Sequence, residues 1–127
     1  LSNVLAVEGK KNNILSNVIA PIARTRLTED LMGALADNLH PEQVTSLVTY
    51  LCSEANAETH QIYSVGGGKY SRIFIGMAPG WFAGVGEIPT AEDIAANLGK
   101  INSDEGYIIP DSIAAEMQTL MAAFKGE

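Results

Sequence analysis

Cysteine occurs once in this 127-residue chain, at Cys52. No disulfide framework can form within it, a reducing compartment is the natural setting, and the expected role of Cys52 is a buried structural thiol in an apolar helix. Positive charge is scarce, with 8 lysines and arginines against 15 aspartates and glutamates and a net charge of −7. The three arginines make no stripe, which argues against nucleic acid or an anionic membrane surface as the main partner. No run approaches the ~18 apolar residues of a membrane span, and no charged start with an apolar stretch marks a signal peptide, so a cytoplasmic location is expected. Metal-ligand spacing is missing as well. His40 beside Pro41 reads as a helix start, and His60 has neither a cysteine nor a second histidine at ligand spacing. Neither internal repeats nor low-complexity segments are found.

What remains is enough for one ordinary domain, able to remove roughly two thirds of its unfolded surface from water. Leu1, Val4 and Leu5 share one helical face, and Glu8-Gly9-Lys10-Lys11-Asn12 supplies the glycine and basic residues that close a helix. Residue 1 therefore falls inside an element. The next run is apolar apart from Ser16 and Asn17 and reads as a strand over residues 14–19, covered on both faces and stopped by Pro21. Thr28 is placed to cap a helix with Glu29 and Asp30 in its first turn, and Leu27, Leu31 and Leu35 recur at core spacing. Pro41 opens a further helix whose stripe Val44, Leu47, Val48 and Leu51 runs to about Ser53. A short strand follows near Gln61 to Val65, ended by Gly66-Gly67-Gly68. Strand, helical crossover and strand make one parallel unit.

Beyond it, Arg72-Ile73-Phe74-Ile75 reads as a strand and Ala78 to Gly84, with Trp81 and Phe82, as an apolar turn or short strand. Thr90 with Asp93 forms a capping box over a helix to about Leu98, and Ile113, Met117, Leu120, Met121 and Phe124 form a last amphipathic helix. The acidic groups Glu92-Asp93 and Asp104-Glu105 read as a helix start and a solvated loop.

With Leu-Ala-x-Glu-Gly before the first strand and Asn-x-Ile-Ala-Pro within it, residues 1–68 resemble the C-terminal part of a short-chain dehydrogenase/reductase. A narrower likeness lies in Ile19 to Thr28, Leu39 to Val44 and Leu47 to Glu54, which are similar to the (3R)-3-hydroxyacyl-CoA dehydrogenase domain of the peroxisomal multifunctional enzyme type 2 branch. That branch carries an extra strand and helices after its Val-Gly-x-Gly turn, here Val65 to Gly68. The implied fold is α/β, a partial Rossmann-like domain holding the last strands and helices of a doubly wound parallel sheet over residues 1–68. Residues 69–127 add a C-terminal extension of short strands and two helices, packed on the same domain. In the family, the backbone after Ala-Pro and a nearby hydroxyl contact the nicotinamide carboxamide, which assigns that role to Pro21, Ile22, Ala23 and Thr25. Many relatives have glycine where this chain has Ile22, and the narrower branch also departs from glycine there.

The rest of the family's machinery has no counterpart. None of Tyr50, Tyr63, Tyr70 or Tyr107 has a lysine four residues on, and Gly66 to Gly68 lacks the dinucleotide spacing. The resemblance puts the glycine-rich turn and the Ser, Tyr and Lys set upstream of residue 1, so no catalytic residue and no metal ligand is assigned. The chain alone is expected to hold no cofactor, with NAD implied only on complementation. Three functions stay open: a truncated relic that self-associates as a homo-oligomer, one half of a split dehydrogenase joined by an upstream half, or a small-ligand binding domain.

Overall fold

A computed structural model of the chain describes residues 1–26 and 28–126, the side chains of Glu29 and Leu31 excepted. It divides into two compact units, Leu1–Phe74 and Ile75–Glu127. In the first, helix α1 (Ser2–Gly9) tightens into a 3-10 turn over Lys10–Asn12. Asn13 stops it in the left-handed conformation, φ 55° and ψ 36°, its amide donating to Lys10 O. The stop is thus Asn13 rather than Gly9, which is instead the close-approach residue: a Cβ there would lie 2.8 Å from Ile14 Cβ. Ala6 and Gly9 are buried, whereas Leu1, Val4, Leu5 and Val7 are all exposed.

Strand β1 is Val18–Pro21, not residues 14–19, and Ile14 and Leu15 are exposed rather than covered. The cause is the polar pair in the run. Ser16 and Asn17 satisfy the chain ahead of the next strand with bonds of the kind that compete with a ladder. Ser16 N donates to Thr59 Oγ1 at 2.9 Å, His60 N to Ser16 O at 2.8 Å and Asn17 Nδ2 to Glu58 O at 2.8 Å. Gln61 N donates in turn to Asn17 Oδ1 at 3.1 Å. Pro21 is the last paired residue, as expected, opposite Val65, and the bond from Ile22 N closes that pair. Val18 N donates to Gln61 O and Ile22 N to Val65 O at 2.7 Å, so the proline nitrogen, in the opposite phase, falls on the outer edge where no ladder donor is needed.

Of the two helices expected between the strands, the first is broken. Helix α2 (Glu29–Met32) is a single turn, followed by a 3-10 stretch over Gly33–Asn38. Gly33 sits at φ 49°, ψ −133°, a conformation open to glycine, and it breaks the periodicity on which the leucine stripe relied. Leu35 is 68 % exposed in consequence. Leu27 and the side chain of Leu31 lie outside the described residues. Helix α3 (Pro41–Leu51) then packs on β2 (Ile62–Gly66), and Val65 at the sheet centre is 0 % exposed. Asn56, buried, closes the end of α3 by donating to Leu51 O and Glu58 O while accepting from Glu58 N. With the helix stopping at Leu51, Cys52 is its C-cap residue and is exposed, not a core thiol.

Strand β1 pairs with β2 in parallel, Val18 opposite Ile62 through Pro21 opposite Val65. Strand β3 (Lys69–Ile73) returns antiparallel to β2 and replaces the strand expected over residues 72–75. Gly67 and Gly68, φ 58° and 75°, form the two-residue hairpin turn that needs positive φ at both centres. The result is a small α/β fold on a three-stranded mixed sheet, order β1-β2-β3.

In the second unit, residues 78–84 form no strand. An isolated antiparallel bridge joins Met77 to Ile108 instead. Helix α4 (Ala91–Ile101) carries the expected box, Thr90 Oγ1 accepting from Asp93 N at 3.2 Å and Asp93 Oδ2 from Thr90 N at 3.0 Å. Helix α5 (Ile113–Lys125) starts at Ser112 and ends on left-handed Gly126. The Phe82 and Phe124 rings meet at 5.7 Å between centroids, a packing role for the aromatic pair. No helix among the described residues is long and apolar enough to cross a membrane.

Two outcomes are expected. A Cβ at Gly66 would stand 2.3 Å from Ile22 O, so Gly66→Ala should lower stability by about 3 kcal/mol in urea denaturation. Gly68→Ala, with open space around it, should cost only the left-handed penalty of about 1 kcal/mol. The bonds from the Thr90 backbone and side chain hold the Asp93 carboxyl below its ordinary value of 3.8. A depressed folded-state value means the cap's contribution is complete above the ordinary one and is lost as pH falls through the depressed one. An NMR titration of Asp93 should show this, with Thr90→Ala moving its midpoint upward.

Candidate functional site

At the carboxyl end of β1 the chain leaves the sheet through Pro21, Ile22, Ala23, Arg24 and Thr25. Ile22 N–H is the last donor to β2, and its carbonyl lies against Gly66. Two residues on, Arg24 N donates to Leu39 O at 2.8 Å, tying the loop to the buried residue ahead of α3. Thr25 N donates to Thr28 Oγ1 at 2.9 Å. Of the four amides after Pro21, three therefore have protein acceptors. Among the described residues the half-buried Ala23 amide has none, while its carbonyl accepts from the Thr28 hydroxyl at 3.0 Å.

The four residues assigned from sequence are thus brought together in one short turn, with Pro21, Ile22 and Thr25 exposed. Three others that complete the site were missed. Thr28, read as a helix cap, occupies the N-cap position of α2 but makes no capping bond and turns its hydroxyl back into the loop. Leu39 and Gly66 hold the loop from the other side. The Thr-x-x-Thr spacing was the available signal for Thr28. Gly66 and Leu39 carry none, because both are brought to the loop from far along the chain, Gly66 by the parallel pairing and Leu39 by the bond from Arg24 N.

What this turn offers chemically is a backbone donor, Ala23 N–H, next to a hydroxyl, Thr25 Oγ1, at the end of a parallel strand. Such ends are where open α/β sheets bind their ligands. This donor does not by itself amount to a pyrophosphate site. The remaining glycines, Gly66 to Gly68, make a strand-to-strand hairpin rather than the strand-to-helix turn that phosphates need. Tyr63 is no acid-base tyrosine either. Burial first, then the Glu58 charge and weakly Tyr50, push its phenol up, opposed by Arg72, so it stays protonated at neutral pH. No cluster of metal-ligating side chains occurs among the described residues. His40 is exposed at the start of α3, and His60 takes a left-handed backbone, φ 64°, ahead of β2.

Arg24 and Asp37 meet at 3.3 Å over the loop, but their side chains are 44 % and 84 % exposed. Solvent screening leaves such a pair worth little, so Asp37→Asn should change stability by less than about 0.5 kcal/mol in thermal melts. The loop is held by its backbone bonds and not by this ion pair.

No family model matches the chain. It is 40% identical over 107 residues to the short-chain type dehydrogenase/reductase Rv0148 of Mycobacterium tuberculosis, covering 84% of this chain and 37% of that one. It is 36% identical over 124 residues to peroxisomal multifunctional enzyme A of Dictyostelium discoideum, covering 97% and 27%. The structure of full-length peroxisomal multifunctional enzyme type 2 from Drosophila melanogaster superposes with a TM-score of 0.83 at 22% identity, over 98% of this chain and 23% of that one. The chain spans well under half the length of each, and the superposition shows a common fold. In sequence and in fold, this is a short-chain dehydrogenase/reductase-like chain, related to Rv0148 and to peroxisomal multifunctional enzyme type 2 over part of their length.

Proposed function

We propose that this chain is the C-terminal part of a dehydrogenase of the (3R)-3-hydroxyacyl-CoA type, that it holds the nicotinamide end of NAD, and that it is not catalytic by itself. The observation that carries this reading is the turn after β1, where among the described residues the Ala23 amide has no protein acceptor and Thr25 follows two residues on. A nicotinamide carboxamide would place its oxygen on Ala23 N–H and its amino group on Thr25 Oγ1. Ile22 would position the turn through its bond to Val65, and its side chain, 47 % exposed, would cover one side of the ring. When bound, NAD supplies the hydride acceptor.

Proton transfer needs groups this chain does not contain. Tyr50, Tyr63, Tyr70 and Tyr107 each lack the lysine four residues on that would lower a phenol's pKa. A glycine-rich turn and a Ser, Tyr and Lys set must therefore come from outside these 127 residues. The outer edge of β1 and the exposed Leu1, Val4, Leu5 and Val7 of α1 suit a surface that such a polypeptide covers. The same exposed surface favours a second reading, association with further copies of this chain as a homo-oligomer.

Mixing the chain with a polypeptide bearing the glycine-rich turn and the Ser, Tyr and Lys set should give NAD-dependent oxidation of a (3R)-3-hydroxyacyl-CoA, followed as NADH formation. The chain alone should give none. A native mass spectrum separates the two assemblies, showing either the mixed pair or a multiple of the single chain. Failure to pair and to turn over would sink the dehydrogenase reading.

A further inference from the structure

A single peptide plane, the one shared by Ile22 and Ala23, carries the chain from the sheet into the turn after β1. Gly66 fixes the carbonyl end of that plane. A Cβ built on Gly66 would lie 2.3 Å from Ile22 O, 3.1 Å from the carbonyl carbon and 2.7 Å from Ile22 Cβ. The oxygen is nearer than its carbon, so the carbonyl is directed at the space a side chain on Gly66 would fill. No cis peptide bond occurs among the described residues, and in a trans peptide the C=O and the following N–H leave the plane in opposite directions. Ala23 N–H is therefore directed away from Gly66 and β2. Among the described residues it meets no protein acceptor there.

Backbone conformation does not explain a glycine at this position. Gly66 is the last residue of β2, paired with Lys69, and the positive φ values of the hairpin belong to Gly67 and Gly68. What excludes a side chain is the close approach of Ile22. The plane is also held on either side. Ile22 N donates to Val65 O at 2.7 Å and Arg24 N to Leu39 O at 2.8 Å. With both neighbouring amides tied, the plane between them turns only by moving its oxygen, and Gly66 leaves the room that oxygen occupies.

We infer that Gly66 is a positioning residue for the nicotinamide end of the dinucleotide, because by taking the Ile22 carbonyl against a bare Cα it turns Ala23 N–H outward as the donor to the carboxamide oxygen. This rests on the nicotinamide reading above and adds to it the residue that aims the donor. Gly66 acts through the Ile22–Ala23 peptide and not by contact with the cofactor.

NMR of the unsubstituted chain reads the peptide plane directly. Relative to intrinsic rates, the Ala23 amide should exchange with solvent about tenfold faster than the bonded amides of Ile22, Arg24 and Thr25. It should show no strong nuclear Overhauser effect to the Gly66 Hα protons. A protected Ala23 amide, or a strong effect between those protons, overturns the inference. In the active pair with the polypeptide that supplies the Ser, Tyr and Lys set, Gly66→Ala should raise KM for NAD about tenfold, as for losing one hydrogen bond, with KM for the acyl-CoA unchanged. Gly68→Ala, in the same hairpin but with open space around it, should leave KM for NAD as it is. A merely structural role would reduce the amount of active pair and lower kcat without moving KM for NAD. An unchanged KM in Gly66→Ala, or an equal rise in both variants, overturns the inference while leaving the nicotinamide reading standing. If Gly66→Ala does not fold by circular dichroism, the NMR result on the unsubstituted chain decides. An unsubstituted pair that assembles but shows no NAD-dependent turnover overturns the nicotinamide reading, and this inference with it.

Discussion

The carbonyl of Ile22 and the backbone of Gly66 come so close that no side chain fits between them, and the architecture of the first unit turns on that contact. It exists because Ile22 N–H closes the last parallel pair, Pro21 with Val65, by donating to Val65 O. Pairing at that point sets the direction in which the chain leaves β1. It also delivers Val65 to the centre of the sheet and brings the Gly67-Gly68 turn beside Leu39, where a Cβ on Gly67 would touch the Leu39 side chain at 3.4 Å. Leu39 in turn accepts the Arg24 amide, so the loop is held at both of its ends by the same corner of the sheet.

Within that frame the turn from Pro21 to Thr28 uses its hydrogen bonds unevenly. Ile22, Arg24 and Thr25 donate to the protein, and Thr28 ties Ala23 to Thr25. Among the described residues the half-buried Ala23 amide is the one of these four without a protein acceptor. The cost of fixing the turn is met by bonds inside the chain.

The apolar surface has the opposite character. Leu1, Val4, Leu5 and Val7 are exposed on α1, while burial there falls to Ala6 and Gly9. Leu1, Val4 and Leu5 were read as sharing one helical face, and all three are exposed. The residues α1 buries are Ala6 and Gly9, the latter against Ile14, and the larger apolar side chains stay outward.

Local chemistry was legible wherever it needed only neighbours in sequence. The Thr90 and Asp93 box, the Pro41 helix start, the glycine turn and the apolar periodicity of α5 depend on residues a few positions apart, and each can be read from the chain. Strand limits, the mixed sheet and the exposure of Cys52 could not. The start of β1 at Val18 depends on Ser16 and Asn17 meeting Glu58, Thr59 and Gln61 more than forty positions away. For the site, sequence selected Pro21, Ile22, Ala23 and Thr25 through the strand end and its hydroxyl. Thr28 lies three residues on, at a spacing the chain itself shows, and only the tertiary structure joined them to Leu39 and Gly66. The reason is that hydrogen-bond partners across a parallel pair are set by register, and register emerges from the packed sheet rather than from any one segment.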